Sequence, residues 1–246
     1  MVSNVIVTGA TGQIGHLLCL ALKEKKFNVI AIDKDQSSDE IKDVNYYYHD
    51  ITDIKNKNKF YDSIISKFGL IDIQINNVGI SCFSDFEDRT EEEFDQVVNV
   101  NLKSIFFEIQ NYVRKFDQLK QKKGRIINIG SIFGLVSPDY RNYIDLNRKS
   151  SEIYGATKAG LIQMSKYFAV HLAKRNIAVN CVSPGGIFDP SNPQGEKFIE
   201  SYSSKTPQNR MATTEEVIEA IMFFVSMDSN YTTGQNLVVD GGLTSW

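Results

Sequence analysis

The sequence has little that would tie it to a membrane, a nucleic acid or an oxidising compartment. No apolar run approaches the ~20 residues a spanning helix needs. The strand-like Val5-Ile6-Val7 begins too soon to leave room for a signal peptide. Dense Lys/Arg blocks are absent, and 27 basic against 30 acidic residues give a net charge of −3, which sets nucleic acid aside as a partner. The three cysteines, Cys19, Cys82 and Cys181, are far apart and suit reduced thiols in a cytoplasmic protein better than disulfides. The three histidines, His16, His49 and His171, are scattered without ligand spacing, so no metal is expected. Repeats, low-complexity tracts and long Pro/Gly/Ser linkers are missing as well. At 246 residues the chain suits a single α/β domain.

What is present is a regular alternation of short apolar strands with amphipathic helices. Strands are expected at 4–7, 27–32, 45–49, 71–75, 125–129, 178–182 and 236–239. Helices are expected at 16–26, 56–68, 90–115, 152–174 and 214–227. Thr90 followed by Glu91, Glu92 and Glu93 marks a helix start, with an N-cap and acidic side chains matching the dipole. This order predicts a doubly wound, mostly parallel seven-stranded sheet with helices on both faces, the Rossmann-type arrangement.

Between the first strand and helix lies Thr8-Gly9-Ala10-Thr11-Gly12-Gln13-Ile14-Gly15. Glycines there permit a tight turn and close backbone approach, while the free N–H groups and dipole of the helix face an anion. The second strand ends on Asp33, eighteen residues after Gly15. A carboxylate at that place accepts hydrogen bonds from the ribose hydroxyls of an adenosine and repels a 2′-phosphate. This favours NAD, while Lys34 beside it leaves NADP open.

Tyr154-Gly155-Ala156-Thr157-Lys158 opens the helix that runs to about Lys174. Residues four apart share a helix face. A phenol beside a fixed cation is drawn toward its phenolate and into range for proton transfer. With eleven tyrosines, one such spacing is also expected by chance, so the surroundings must decide. Taken alone, Ser131 reads as a strand-end turn serine. Asn101 reads equally well as a helix residue satisfying local backbone, and Asn76-Asn77 as a brace for the sheet.

Together these stretches resemble the short-chain dehydrogenase/reductase family from end to end. The Thr8–Gly15 loop, Asp33, Asp50-Ile51, Asn76-Asn77-Val78-Gly79, Asn101, Ser131, Tyr154 with Lys158, and Pro184-Gly185 appear in the family's order. The resemblance implies a catalytic set of Asn101, Ser131, Tyr154 and Lys158. Tyr154 would exchange a proton with the substrate oxygen, Ser131 would orient that oxygen, and Lys158 would hold the nicotinamide ribose. Asn101 would hold a water leading to solvent. It also implies cofactor contacts from Gly9, Gln13, Ile14, Asp33, Asp50, Ile51, Asn77, Gly79, Tyr154, Lys158, Pro184, Gly185 and Ile187, and a homodimer or homotetramer. Leu161, Met164, Tyr167, Phe168 and His171 give the Tyr154 helix more apolar surface than one sheet face requires.

The sequence departs from the family pattern in three places. Gln13 stands where simple reductases carry glycine, Val78 replaces a small alanine, and the Ser131–Tyr154 interval is long. The extra residues, around 138–153, include Asp139, Tyr140, Arg141, Tyr143, Asp145, Arg148 and Lys149. As a loop at the pocket mouth they would recognise a polar, anionic substrate through Arg141, Arg148 or Lys149; as a surface excursion they would do nothing. A similar insertion, with Ser183–Phe188 and a C-terminal Trp, occurs in members linked to bacterial surface-sugar and flagellin-glycan biosynthesis, and this favours a sugar, sugar phosphate or nucleotide sugar. The rival substrate class is the 3-oxoacyl group on acyl carrier protein. A non-catalytic nucleotide-sensing module would not need Tyr154 and Lys158. Residues around 187–210 are expected to form a lid.

Overall fold

The computed structural model describes residues 2–35, 44–143 and 149–246. Its centre is a sheet of seven parallel strands. These are β1 (Asn4–Thr8), β2 (Asn28–Asp33), β3 (Asn45–Tyr48), β4 (Ile73–Asn76), β5 (Gly124–Ile129), β6 (Ile177–Pro184) and β7 (Asn236–Val239). They lie in the order β3-β2-β1-β4-β5-β6-β7. The helices are α1 (Gln13–Glu24), α2 (Lys57–Phe68), α3 (Glu91–Val98), α4 (Ser104–Gln118), α5 (Glu152–Leu172), α6 (Glu196–Lys205) and α7 (Thr214–Val225). Every strand pair is parallel, so the connections cross the faces, and both faces are covered. The chain reverses its direction of winding between β1 and β4, which opens a crevice at their carboxyl ends.

Alternation along each strand sorts the core. Val5 and Val7 face α1 and α7 with Leu18, Val217 and Ile221, whereas Ile6 faces the other way, among Ile64, Ile105, Ile109 and Leu161. Leu161 is fully buried there, which corrects its place in the expected oligomer patch: the sheet itself uses it. Tyr167, 62% exposed, and Val170, 81% exposed, carry the outward apolar surface of α5 instead.

The helix expected over 90–115 is interrupted. It starts as read, with a capping box in which Thr90 accepts from the Glu93 amide and Glu93 accepts from the Thr90 amide. At Asn99–Lys103 it widens into a π-helical turn before α4 resumes. The extra residue in that turn directs Asn101 inward, where its Oδ1 accepts from the Ile80 amide at 2.8 Å and its Nδ2 donates to the Ile80 carbonyl at 2.8 Å. No helix among the described residues is long and apolar enough to cross a membrane.

Candidate active site

The crevice at the β1/β4 switch is a cleft of about 490 Å³. Its phosphate end is built by the β1–α1 turn. Gly12 caps α1 without a side-chain bond, and the first turn has no acidic residue, so the amide groups there stay open to an anion. A side chain at Gly15 would fall on the Gly9 carbonyl oxygen, so only glycine lets helix and loop approach this closely. Asn77 braces the same loop: its Nδ2 donates to the Gly9 carbonyl at 2.9 Å. Its neighbour Asn76 donates to Asn128 Oδ1 across the sheet at 2.8 Å. Gln13 turns its amide away from the loop, toward the Phe188 carbonyl at 3.1 Å and Thr214 Oγ1 at 3.0 Å. The departure at position 13 therefore ties the phosphate loop to the segment after β6.

Asp33 ends β2 with its carboxylate on the cleft. Oδ2 accepts from the Thr11 amide and hydroxyl at 2.9 and 2.8 Å, and Oδ1 from the Lys34 amide at 2.7 Å. Asp50 and Ile51 follow β3, and Asp50 Oδ1 accepts from the amide and hydroxyl of Thr52, both at 2.8 Å. A dinucleotide fits this donor and acceptor set, with open amides for its phosphates and a carboxylate for ribose hydroxyls.

The other end of the cleft is set by β5, β6 and α5. Ser151 caps α5 by accepting from the Tyr154 amide at 3.3 Å, which fixes Tyr154 in the first turn and Lys158 one turn later. The Lys158 side chain is buried, donates to the Ile129 carbonyl at 2.7 Å, and holds its nitrogen 5.6 Å from the Tyr154 ring centre. Gly79 makes room for it, because a Cβ there would stand 3.2 Å from Lys158 Nζ. Ser131 Oγ accepts from the Phe133 amide at 3.1 Å, which leaves the hydroxyl hydrogen for another acceptor.

Gly9, Gln13, Ile14, Asp33, Asp50, Ile51, Asn77, Gly79, Ser131, Tyr154, Lys158, Pro184, Gly185 and Ile187 all line this one cleft. Asn101 does not. Its amide is held by Ile80 and by Thr157 Oγ1 at 3.2 Å, so the side chain acts as a brace for the strand-end loop beside Lys158. The cleft also takes in Thr11, His49, Thr52, Ile80, Gln96, Asn99 and Val100. Thr11, His49 and Thr52 sit next to recognisable motifs, but Gln96, Asn99 and Val100 carried no signal in the sequence.

Residues 139–143 dock on α6. Asp139 accepts from Arg141 Nε at 2.9 Å and from Lys205 Nζ at 2.7 Å, and Ser201 Oγ donates to Asn142 Oδ1 at 2.9 Å. The Arg141 guanidinium, then the Lys205 ammonium, hold the Asp139 carboxyl well below the usual carboxylate range. The Tyr143 and Phe198 rings lie 5.1 Å apart, beside Tyr202 and Met211. Arg141 is thus already paired and 84% exposed, and Lys149 pairs with Asp85 at 3.3 Å. Both described cations that the anionic-substrate expectation named thus already have a carboxylate partner. Asp145 and Arg148 lie outside the described residues.

The family model described as enoyl-(acyl carrier protein) reductase matches residues 9–244. A 3-oxoacyl-[acyl-carrier-protein] reductase of Thermotoga maritima is 36% identical over 248 residues, covering 97% of this chain and 96% of the relative. An acetoacetyl-CoA reductase of an Acinetobacter species is 32% identical over 250 residues, covering 97% and 96%. The crystal structure of a short-chain dehydrogenase from Leptospira borgpetersenii with bound NAD+ superposes with a TM-score of 0.92 at 41% identity, covering 99% of this chain and 93% of that one. The chain belongs to the short-chain dehydrogenase/reductase family and is an NAD(P)-dependent oxidoreductase.

Proposed function

We propose that the protein is an NAD(H)-linked reductase of 3-oxoacyl thioesters, interconverting a ketone and a hydroxyl group. The observation that carries the reaction type is the sharing of one cleft by Ser131, Tyr154 and Lys158 with the open phosphate loop and Asp33. NAD(H) bound there would supply or accept the hydride. Tyr154 gives its phenolic proton to the ketone oxygen, or takes it back in the oxidising direction. Ser131 donates its hydroxyl hydrogen to that same oxygen and orients it. Lys158, anchored by the Ile129 carbonyl, presents its remaining N–H groups to the ribose and the phenol. Asn101 supports this end through the Ile80 backbone rather than by contact with substrate. The preference for NAD rests on Asp33, which offers no welcome to a 2′-phosphate.

For the substrate, two observations favour an acyl thioester over a sugar. The names of the Thermotoga and Acinetobacter relatives concern 3-oxoacyl and acetoacetyl groups. The segments that flank Ser131 and Ile187 carry Leu135, Val136 and Phe188, which are 47%, 43% and 39% exposed and suit an apolar chain. In the sugar reading Arg141 was to take a substrate charge, and it is already paired with Asp139. Initial rates with acetoacetyl-CoA and with phosphorylated or nucleotide-linked sugars, each with NADH and NADPH, decide the matter. Acetoacetyl-CoA turnover with NADH is expected; turnover confined to the sugars would sink the thioester assignment. A cytoplasmic homodimer or homotetramer accompanies this reading, with Phe106, Tyr167 and Val170 as the apolar contact face on α4 and α5. Sedimentation as a 27.8 kDa monomer would rule the oligomer out.

A further inference from the structure

Lys57 is a costly residue in the place where it stands. Its side chain is 0% exposed, and it is the first residue of α2, where the helix dipole disfavours a cation and no acidic side chain occupies the first turn. Burying an ammonium is unfavourable unless it is paired and fully hydrogen-bonded. The pairing comes from Glu108 on α4, 2% exposed, whose Oε1 accepts from Lys57 Nζ. Tyr61, one turn further along α2, donates to the other Glu108 oxygen at 2.5 Å. Burial, together with the Glu108 charge, pushes the Tyr61 hydroxyl well above its ordinary pKa, so it remains a donor. Apolar side chains of similar volume could pack α2 on α4 equally well. What they could not do is what Lys57 Nζ also does: it donates to the Ile51 carbonyl at 2.7 Å.

Ile51 lies between Asp50 and Thr52, and all three line the cleft at its β2–β3 end, on the side of Asp33 and away from Tyr154. Asp50 and Thr52 bond each other and, through their carbonyls, the amides of Asp53 and Ile54, while the Ile51 side chain packs into the core; the Lys57 ammonium adds the hydrogen bond that ties the Ile51 carbonyl to Glu108 on α4. We propose that Lys57 and Glu108 are positioning residues for the adenosine half of the dinucleotide, holding the Asp50–Thr52 wall at the height where it meets the adenine. They touch neither cofactor nor substrate; they act through the Ile51 backbone. The inference rests on the dinucleotide reading of the cleft and deepens it.

The test compares ligands that do and do not carry adenosine. Dissociation constants are measured by fluorescence titration for NADH and for reduced nicotinamide mononucleotide, and by NADH competition for ADP-ribose. The variant is Lys57→Met with Glu108→Gln, which removes both charges while keeping bulk and an acceptor for Tyr61. NADH and ADP-ribose should bind about tenfold more weakly, the size of one lost positioning hydrogen bond, with the mononucleotide unchanged. Glu108→Gln alone, which leaves Lys57 on the Ile51 carbonyl, supplies the comparison if the double variant does not fold; a smaller loss confined to the adenosine ligands is expected. Equal weakening of NADH and the mononucleotide, or no change in either, would overturn the inference while leaving the dinucleotide reading intact. A wild-type protein that binds no NADH would overturn that reading first.

Discussion

Replacing Asp33 by Asn tests the cofactor assignment at its physical root. Asp33 is 9% exposed, and its carboxylate is anchored by the Thr11 amide and hydroxyl at 2.9 and 2.8 Å. Asn keeps an acceptor for Thr11 and gives up the one for the Lys34 amide, so the phosphate loop keeps its two bonds to position 33 while the charge is lost. A 2′-phosphate of charge about −1.5 placed ~5 Å from the carboxylate is repelled by roughly 1.5–5 kcal/mol for effective dielectric constants of about 60 to 20. The loss of a charged acceptor for the ribose hydroxyls weakens NADH by another ~1.5–3 kcal/mol. Both changes move the NADH/NADPH preference the same way, so the ratio of kcat/KM values should fall by at least about 100-fold. Lys34, exposed beside the site, is then free to meet the phosphate. Initial rates at 340 nm give the ratio, and fluorescence titration of both cofactors gives it independently of substrate. A ratio that moves by less than about threefold, or a wild-type protein that already prefers NADPH, would refute the reasoning.

Tyr154→Phe should abolish turnover and leave NADH binding near normal; retained activity would remove the phenol from the mechanism. Lys205→Met breaks the contacts to Asp139 and Asn142, so hydrogen exchange across residues 139–143 should speed up by up to about fivefold, the worth of a partly exposed ion pair, and unchanged exchange would show that this pair does not hold the docking. Glu216 is held down to about 2 by the Arg210 guanidinium and then by the Thr213 amide. A depressed carboxyl contributes stability above its unfolded value near 4.5 that is lost as pH falls toward 2, so denaturant midpoints of wild type and Glu216→Gln should converge across that window. Parallel acid limbs for the two proteins would contradict it. Ile6→Ala, at a position with no exposure on a central strand, should cost about 2–5 kcal/mol and be seen as a lowered thermal midpoint; a smaller loss would mean that the core collapses around the site.

The architecture was legible because strand and helix periods leave a direct trace in apolar spacing. Val5, Ile6 and Val7 alternate between faces, and Thr90 with Glu93 writes the start of α3. The cleft-lining residues were legible where backbone geometry demands a particular residue type, as at Gly9 and Gly79. Asn101 was legible as a position and as a residue satisfying nearby backbone, whereas the π-helical turn that aims it at Ile80 has no sequence signature. Arg141 looked available to substrate because its partner two residues away, Asp139, could not be known to fold back onto it.

The sequence alone determined the alternation of strands and helices, the phosphate loop with its trailing acid, and the Tyr154–Lys158 spacing, since each depends on residues close in the chain. Only the tertiary structure decided what depends on separated residues. The Lys57 and Glu108 charges meet from two helices, Gln13 reaches Phe188, and residues 139–143 dock on α6. A local pattern fixes which face a side chain occupies; which distant group it meets there is set when the helices pack, and no spacing along the chain records it.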